Sequence, residues 1–255
     1  MSDKKLDNFL NNYKKDIQKI VQVGAHFGQE IPIFEKYNIK EVFLFEPNEV
    51  AVSTLRRKIE NISPKTSIKI YPFALGSENK MSEMYYSEEN EGQSSSILEP
   101  QLHKVVQPRI KFNKKVSVTV RRFEDLEIDN TDFLIMDVQG FELEVLKGFG
   151  RKLESLQFIF TEVNRDALYK DNVLIGDLDT FLKLNNFIRV WTSWRTADMP
   201  WGDAFYIKEK KLSKTKILYL TFKNLIFTNN LFFLLYSFFD FRLYKKRLKK
   251  ILRKT

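Results

Sequence analysis

A glycine turn between an apolar strand and a helix constrains this chain more than any other stretch. Residues 17–23 read as a strand, and Gly24-Ala25-His26-Phe27-Gly28 follows at once. Ile31 to Tyr37 then reads as a helix. A glycine there takes positive φ at little steric cost and lets a ligand approach the backbone. The helix offers its free N–H groups to whatever lies over the turn. The spacing is not the G-x-G-x-x-G of dinucleotide binding, and a plain tight turn would look the same.

The pattern that continues from this turn gives the fold class. Glu41-Val42-Phe43-Leu44-Phe45 is a nearly continuous apolar run, as expected of a strand buried on both faces. Pro47 and Asn48 then open a helix to about Asn61, with proline suited to its first turn. Ser67 to Tyr71 is the third strand. Strand and helix thus alternate, which calls for a parallel sheet with helical crossovers.

Residues 77–122 break the alternation. Met81–Tyr86 and Lys115–Val120 read as strands around a polar loop that holds Ser94-Ser95-Ser96. Loops of that length usually serve a function or stay unstructured. Alternation resumes with strands at 133–138 and 157–163, a helix between them to about Lys147, and a second helix at 177–184. Phe187–Trp191 and Ala204–Ile207 close the sheet as an antiparallel pair.

Four strand ends carry polar or glycine residues: Gly24, Glu46, Asp137 and Glu162. Open α/β sheets bind ligands outside those ends, so the four point to one crevice. Glu46 lies where a strand after one βα unit presents an acid to a ribose. Each also has a plain reading, as a turn glycine or a surface acid.

The charge is divided along the chain. The total is +9, but 14 Lys and Arg against two acids in residues 208–255 give that segment +12. Residues 1–207 are left with −3, which argues against a nucleic-acid cleft in the main body. With no cysteine, disulfides, thiolate metal sites and a cysteine nucleophile are excluded. No apolar signal segment opens the chain, so a cytoplasmic location is expected.

Val23-Gly24-Ala25-His26-Phe27-Gly28, Phe45-Glu46-Pro47, Ala74-Leu75-Gly76 and the long run from Asp132 to Gly148 resemble, in order, the FkbM-type S-adenosylmethionine-dependent methyltransferases. The resemblance covers roughly residues 17–207. It implies a Rossmann-like, seven-stranded, mostly parallel α/β sheet with a C-terminal antiparallel strand. It implies S-adenosylmethionine as cofactor and methyl transfer to a hydroxyl oxygen, with a sugar or glycan acceptor as the expectation.

The resemblance also assigns residues. Gly24, Ala25, His26 and Gly28 would follow the cofactor's amino-acid moiety and ribose. Glu46, with Pro47, would take the ribose hydroxyls, and Ala74 and Leu75 would border the adenine. Asp137 is the first candidate for the reacting end and could steady the cofactor's positive charge. Glu142 and Glu162 are further candidates, with Asn164 as a partner for Glu162. Glu142 could instead simply favour the N-terminus of its helix. His26 is expected to line the turn and His103 to meet substrate. Asp137, Glu162 and Asn164 have oxygen donors that suit magnesium, but they are not a metal signal by themselves, and none is read. Trp191, Trp194 and Trp201 flank the last strands and could stack on a sugar, although core packing explains them equally.

One position departs from the pattern. Gln22 stands where such motifs carry an acid that orders the turn or holds the methionine end of the cofactor. That departure gives some weight to the alternative reading, a methyltransferase-fold binding or scaffold protein without catalysis, held at a membrane or partner through its basic tail; the intact Glu46, Asp137 and Gln139-Gly140-Phe141-Glu142 count against it.

The sequence divides into residues 1–207, the methyltransferase domain, and residues 208–255, a basic aromatic-rich tail. Ile217–Phe241 is interrupted by Lys223 and three asparagines, which suits a membrane span poorly. From Arg242 to Lys254, apolar residues 244, 248, 251 and 252 form one stripe among cations. Residues 217–254 therefore read as a segment for an anionic membrane surface, at the inner face. An intrachain or partner-docking helix pair is the competing reading.

Overall fold

The computed structural model describes residues 3–60, 65–195 and 199–228. Helix α1 (Asp3–Tyr13) leads into strand β1 (Lys19–Val23), α2 (Ile31–Lys36), β2 (Glu41–Phe45), α3 (Glu49–Ile59) and β3 (Ser67–Tyr71). Next come β4 (Ala74–Leu75), β5 (Lys80–Tyr86), α4 (Leu102–Val106) and β6 (Lys114–Arg121). The chain continues with β7 (Phe133–Met136), α5 (Glu142–Phe149), β8 (Phe158–Asn164), α6 (Ile175–Leu184), β9 (Phe187–Trp194), β10 (Trp201–Lys208) and α7 (Lys214–Thr228).

The main sheet has seven strands in the order β3-β2-β1-β7-β8-β10-β9. The pairs from β3 through β8 are parallel, and β10 runs antiparallel to both of its neighbours. The expected closing pair is therefore present, with the last strand inserted between β8 and β9. Chain order reverses at β1, which lies between β2 and β7, and this opens a crevice above its C-terminal end.

Strand alternation divides the core into two layers. Val21, Val23, Leu134 and Met136 face a cluster with Val145, Leu146 and Phe149 of α5 and Leu178 and Leu182 of α6. Ile20, Phe133, Ile135, Phe158 and Phe160 face the other way, onto Leu6, Phe9 and Leu10 of α1, Ile31 and Phe34 of α2 and Leu55 of α3. Phe9 stacks on Phe205 at 4.0 Å between ring centres, so the short lead-in helix forms part of this layer.

Two local expectations change. The helix after β2 starts at Glu49, with Asn48 as its cap: Asn48 Oδ1 accepts from Val50 N and Ala51 N at 2.9 and 3.3 Å. Pro47 thus precedes the cap and is not in the first helical turn, because an Asx cap satisfies two free N–H groups that a proline cannot. Residues 77–122 form a second layer rather than an open loop. β6 pairs antiparallel with β5 and parallel with β4, and Tyr85 bridges to Ser96. That bridge brings the serine run back over the crevice.

α7 continues from the sheet and is anchored at β9, where Asn224 Nδ2 donates to Arg189 O at 2.8 Å. Among the described residues no helix is long and apolar enough to cross a membrane. The expected basic stripe of residues 242–254 lies outside the described residues.

Candidate active site

The crevice at the end of β1 is a cavity of about 460 Å³, a size that suits a nucleotide-like ligand. Its walls come from three places. The ends of β1 and β2 bring Gly24, His26, Glu46 and Pro47. β4 brings Ala74 and Leu75. The ends of β7 and β8 bring Asp137, Gln139 and Glu162, while Ser94, Ser95, Ser96 and His103 close over the top from the second layer.

The glycine turn is locked to the strands on both sides. Gly24 N and Ala25 N both donate to Phe45 O, at 2.9 and 3.1 Å. Gly24 has φ +77°, and a Cβ built there would overlap the carbonyl oxygen of Asp137. Only glycine meets both demands. Gly28 also has positive φ, but a Cβ there would meet Ile31 Cδ1 at 2.5 Å and Leu55 Cδ2 at 2.7 Å. Its job is to let α2 and α3 pack against the turn. Neither Gly28 nor Ala25 lines the cavity, and Ala25 is fully buried in the core layer under α2.

Glu46 joins the turn to the next helix. Oε2 accepts from His26 N at 2.8 Å and Oε1 from Asn48 N at 2.9 Å. Each oxygen has capacity for a second bond. Burial pushes the Glu46 carboxyl up from its ordinary range, and the two N–H bonds oppose that shift. His26 has both ring nitrogens engaged. Nε2 lies 2.8 Å from Glu91 O and Nδ1 lies 3.0 Å from Gln29 Nε2, so the ring ties the turn to the second layer.

At the opposite wall two carboxylates share one amide. Gln139 Nε2 donates to Asp137 Oδ1 at 2.7 Å and to Glu162 Oε2 at 3.2 Å. Gln139 holds φ +54°, a costly conformation for a side-chain-bearing residue, kept because the surrounding bonds fix it. Its Oε1 lies 2.9 Å from the hydroxyl of Tyr169, which also reaches Ser94 O at 2.9 Å. Burial, then the charge of Asp137, push the Glu162 carboxyl well above the usual range. Its partner is Gln139. Asn164, expected in that role, has a buried Oδ1 without a hydrogen bond among the described residues.

Glu142 stands apart from this wall. It is fully buried, outside the cavity lining, and its Oε1 accepts from Val138 N at 3.3 Å and Gly140 N at 3.2 Å. It braces the β7–α5 turn. Burial raises its pKa to about 7. His103 lines the cavity with Nδ1 unpartnered among the described residues, and burial lowers its pKa to about 4, which keeps the ring neutral. Trp201 and Arg195 also border the cavity. Trp194 packs against the core under Arg165, and Trp191 is partly exposed on β9.

Sequence reasoning did not single out Glu30 or Tyr169, nor Gln139 as the bridge. Glu30 had a signal available, as an acid two residues after the turn glycine. Tyr169 had none, since only tertiary contact brings it to Gln139.

Six strands that run one way with an antiparallel seventh inserted between the last two, and a ligand crevice at the order reversal, define the class I methyltransferase fold. The chain belongs to the FkbM methyltransferase domain family, whose model matches residues 22–189. A curated relative, the 2-O-methyltransferase NoeI of Sinorhizobium fredii (strain NBRC 101917 / NGR234), is 28% identical over 162 residues. That match takes in 59% of this chain and 65% of the relative. The crystal structure of methyltransferase FkbM from Methylobacillus flagellatus KT superposes with a TM-score of 0.51 at 17% identity. It covers 75% of this chain and 44% of that one, so this chain spans less than half of the solved protein.

Proposed function

We propose that the protein is an S-adenosylmethionine-dependent O-methyltransferase whose acceptor is a sugar hydroxyl in a glycan, polysaccharide or lipid-linked precursor. The observation that carries the reading is the cavity itself. One wall holds the glycine turn and Glu46; the facing wall holds Asp137 and Glu162. Family membership supports methyl transfer, and the relative named as a 2-O-methyltransferase supports oxygen as the accepting atom.

The residues fit such a cofactor. Gly24 allows the backbone to approach the ligand. Glu46 offers an acceptor at each carboxylate oxygen to a pair of ribose hydroxyls. Ala74 and Leu75, both buried, form an apolar edge for adenine. When bound, S-adenosylmethionine supplies a methyl group on a sulfonium, which is electrophilic before the protein acts. The protein is left to position the hydroxyl and accept its proton. Glu162 is suited to the second task, because a carboxyl whose pKa is raised is a stronger base than an ordinary one. Burial, then the charge of Asp137, keep that pKa raised, and Gln139 holds both groups in place.

We further propose that residues 208–255 hold the methyltransferase domain of residues 1–207 at an anionic membrane surface on the cytoplasmic side. In the described part, Leu218, Tyr219 and Phe222 of α7 are exposed, and Lys214 and Lys216 stand exposed beside them.

Titration calorimetry of the full chain with S-adenosylmethionine tests the enzyme reading. No binding at millimolar cofactor would sink it and leave the scaffold alternative. Mass spectrometry of glycans from cells with and without the protein identifies the acceptor.

A further inference from the structure

Gln22 and Glu30 are both buried and both line the cavity. Gln22 lies on β1, and Glu30 stands just before the first residue of α2. Gln22 Nε2 donates to Glu30 Oε2 at 2.9 Å. This bond fixes the amide orientation, since the flipped amide would set two acceptor oxygens against each other. In that orientation Gln22 Oε1 is buried with no hydrogen-bond partner among the described residues. Glu30 occupies the cap position of α2, yet its side chain makes no capping bond. It turns back to Gln22 instead. A carboxylate and an unsatisfied amide oxygen therefore stand side by side beneath the glycine turn.

We propose that Glu30 and Gln22 together receive the α-ammonium group at the methionine end of the cofactor, with Glu30 supplying the charge that Gln22 lacks. The inference rests on the cofactor reading above. An ammonium has three donors and no acceptor, so it complements a carboxylate beside a free carbonyl oxygen.

The pair also explains the departure at position 22. A carboxylate there would stand against Glu30, and two acids sharing one buried site cannot both ionise near neutral pH. The neutral amide donates to Glu30 and adds no second charge beside it. The missing motif acid and the buried acid eight residues on are one arrangement.

The test is calorimetric titration with two ligands: S-adenosylhomocysteine and its deamino analogue, in which hydrogen replaces the amino group. Wild-type protein is expected to prefer the amino ligand by about tenfold or more, as for a charge-assisted hydrogen bond. Glu30→Gln is expected to lose that preference while binding the deamino ligand as wild type does. Gln22→Glu combined with Glu30→Gln returns one acid to the site and should restore the preference.

Wild type that binds both ligands equally overturns the inference, and this arm needs no variant to fold. A Glu30→Gln protein that keeps the preference, or loses affinity for both ligands alike, also overturns it. Wild type that binds neither ligand removes the cofactor reading itself, and the inference with it.

Discussion

The carbonyl oxygen of Asp137 fills the space that a Cβ on Gly24 would need. The cofactor turn and the reacting wall are therefore in direct backbone contact, and Asp137 N also donates to Val23 O at 3.1 Å. Gly24→Ala must strain a residue at φ +77° and push β7 away from β1. A loss of about 2–4 kcal/mol is expected from the backbone conformation and the overlap together. Urea unfolding measures it, and binding of S-adenosylhomocysteine should fall with it. A variant as stable as wild type would show that the turn and β7 are not tightly joined.

Glu46→Ala leaves His26 N and Asn48 N without their shared acceptor and removes both proposed ribose contacts. Affinity for S-adenosylhomocysteine should fall at least about tenfold, given about 1.5–3 kcal/mol for a hydrogen bond to a charged group. Calorimetry reads this directly. Unchanged affinity would show that the acid shapes the turn and does not hold the ribose.

The contrast between Glu46 and Glu142 shows what the sequence could convey. A strand-end acid one βα unit after a glycine turn has a fixed place in a parallel sheet, so its position at the cavity was legible. Nearly continuous apolar runs likewise marked the central strands of the sheet, since parallel strands buried on both faces tolerate little else. Glu142 is five residues past Asp137, and in sequence it reads equally as a site residue or a helix-terminus acid. The tight β7–α5 turn at Gln139 and Gly140, both at positive φ, directs it inward beneath the site. The second layer was legible as two strands only. Its pairing with Ala74–Leu75 depends on long-range register that no local pattern carries.

Glu142 gives a pH dependence whose sign can be worked out. Its folded pKa is raised, to about 7, chiefly by burial. The stability linked to its proton is fully present below the unfolded value, near 4.5, and is lost as pH rises to 7. A shift of this size corresponds to roughly 3 kcal/mol. Glu142→Gln keeps an acceptor for Val138 N and Gly140 N but cannot ionise. Its stability should exceed that of wild type at pH 8, and the gap should close toward pH 4.5. Urea midpoints for both proteins across that range check the prediction, and parallel curves would refute it.

The tail proposal makes separable predictions for charge and for apolar contact. Leu218, Tyr219 and Phe222 are 73%, 63% and 64% exposed on α7, while Leu220 is buried. Large apolar groups grouped on one face beside lysines suit a lipid surface. Beyond them, residues 242–254 carry eight Lys and Arg, each worth about 1 kcal/mol near an anionic leaflet. The full chain should float with vesicles containing phosphatidylserine and not with neutral phosphatidylcholine. Salt should weaken the interaction, because the Debye length falls to about 3 Å at 1 M. Equal partition to both vesicles, or to neither, defeats the electrostatic part. Leu218→Glu with Phe222→Glu then isolates the apolar part, since both side chains already face solvent and their change leaves the core untouched. Reduced flotation of that variant places α7 against the lipid. Flotation equal to wild type would assign the contact to the basic residues alone.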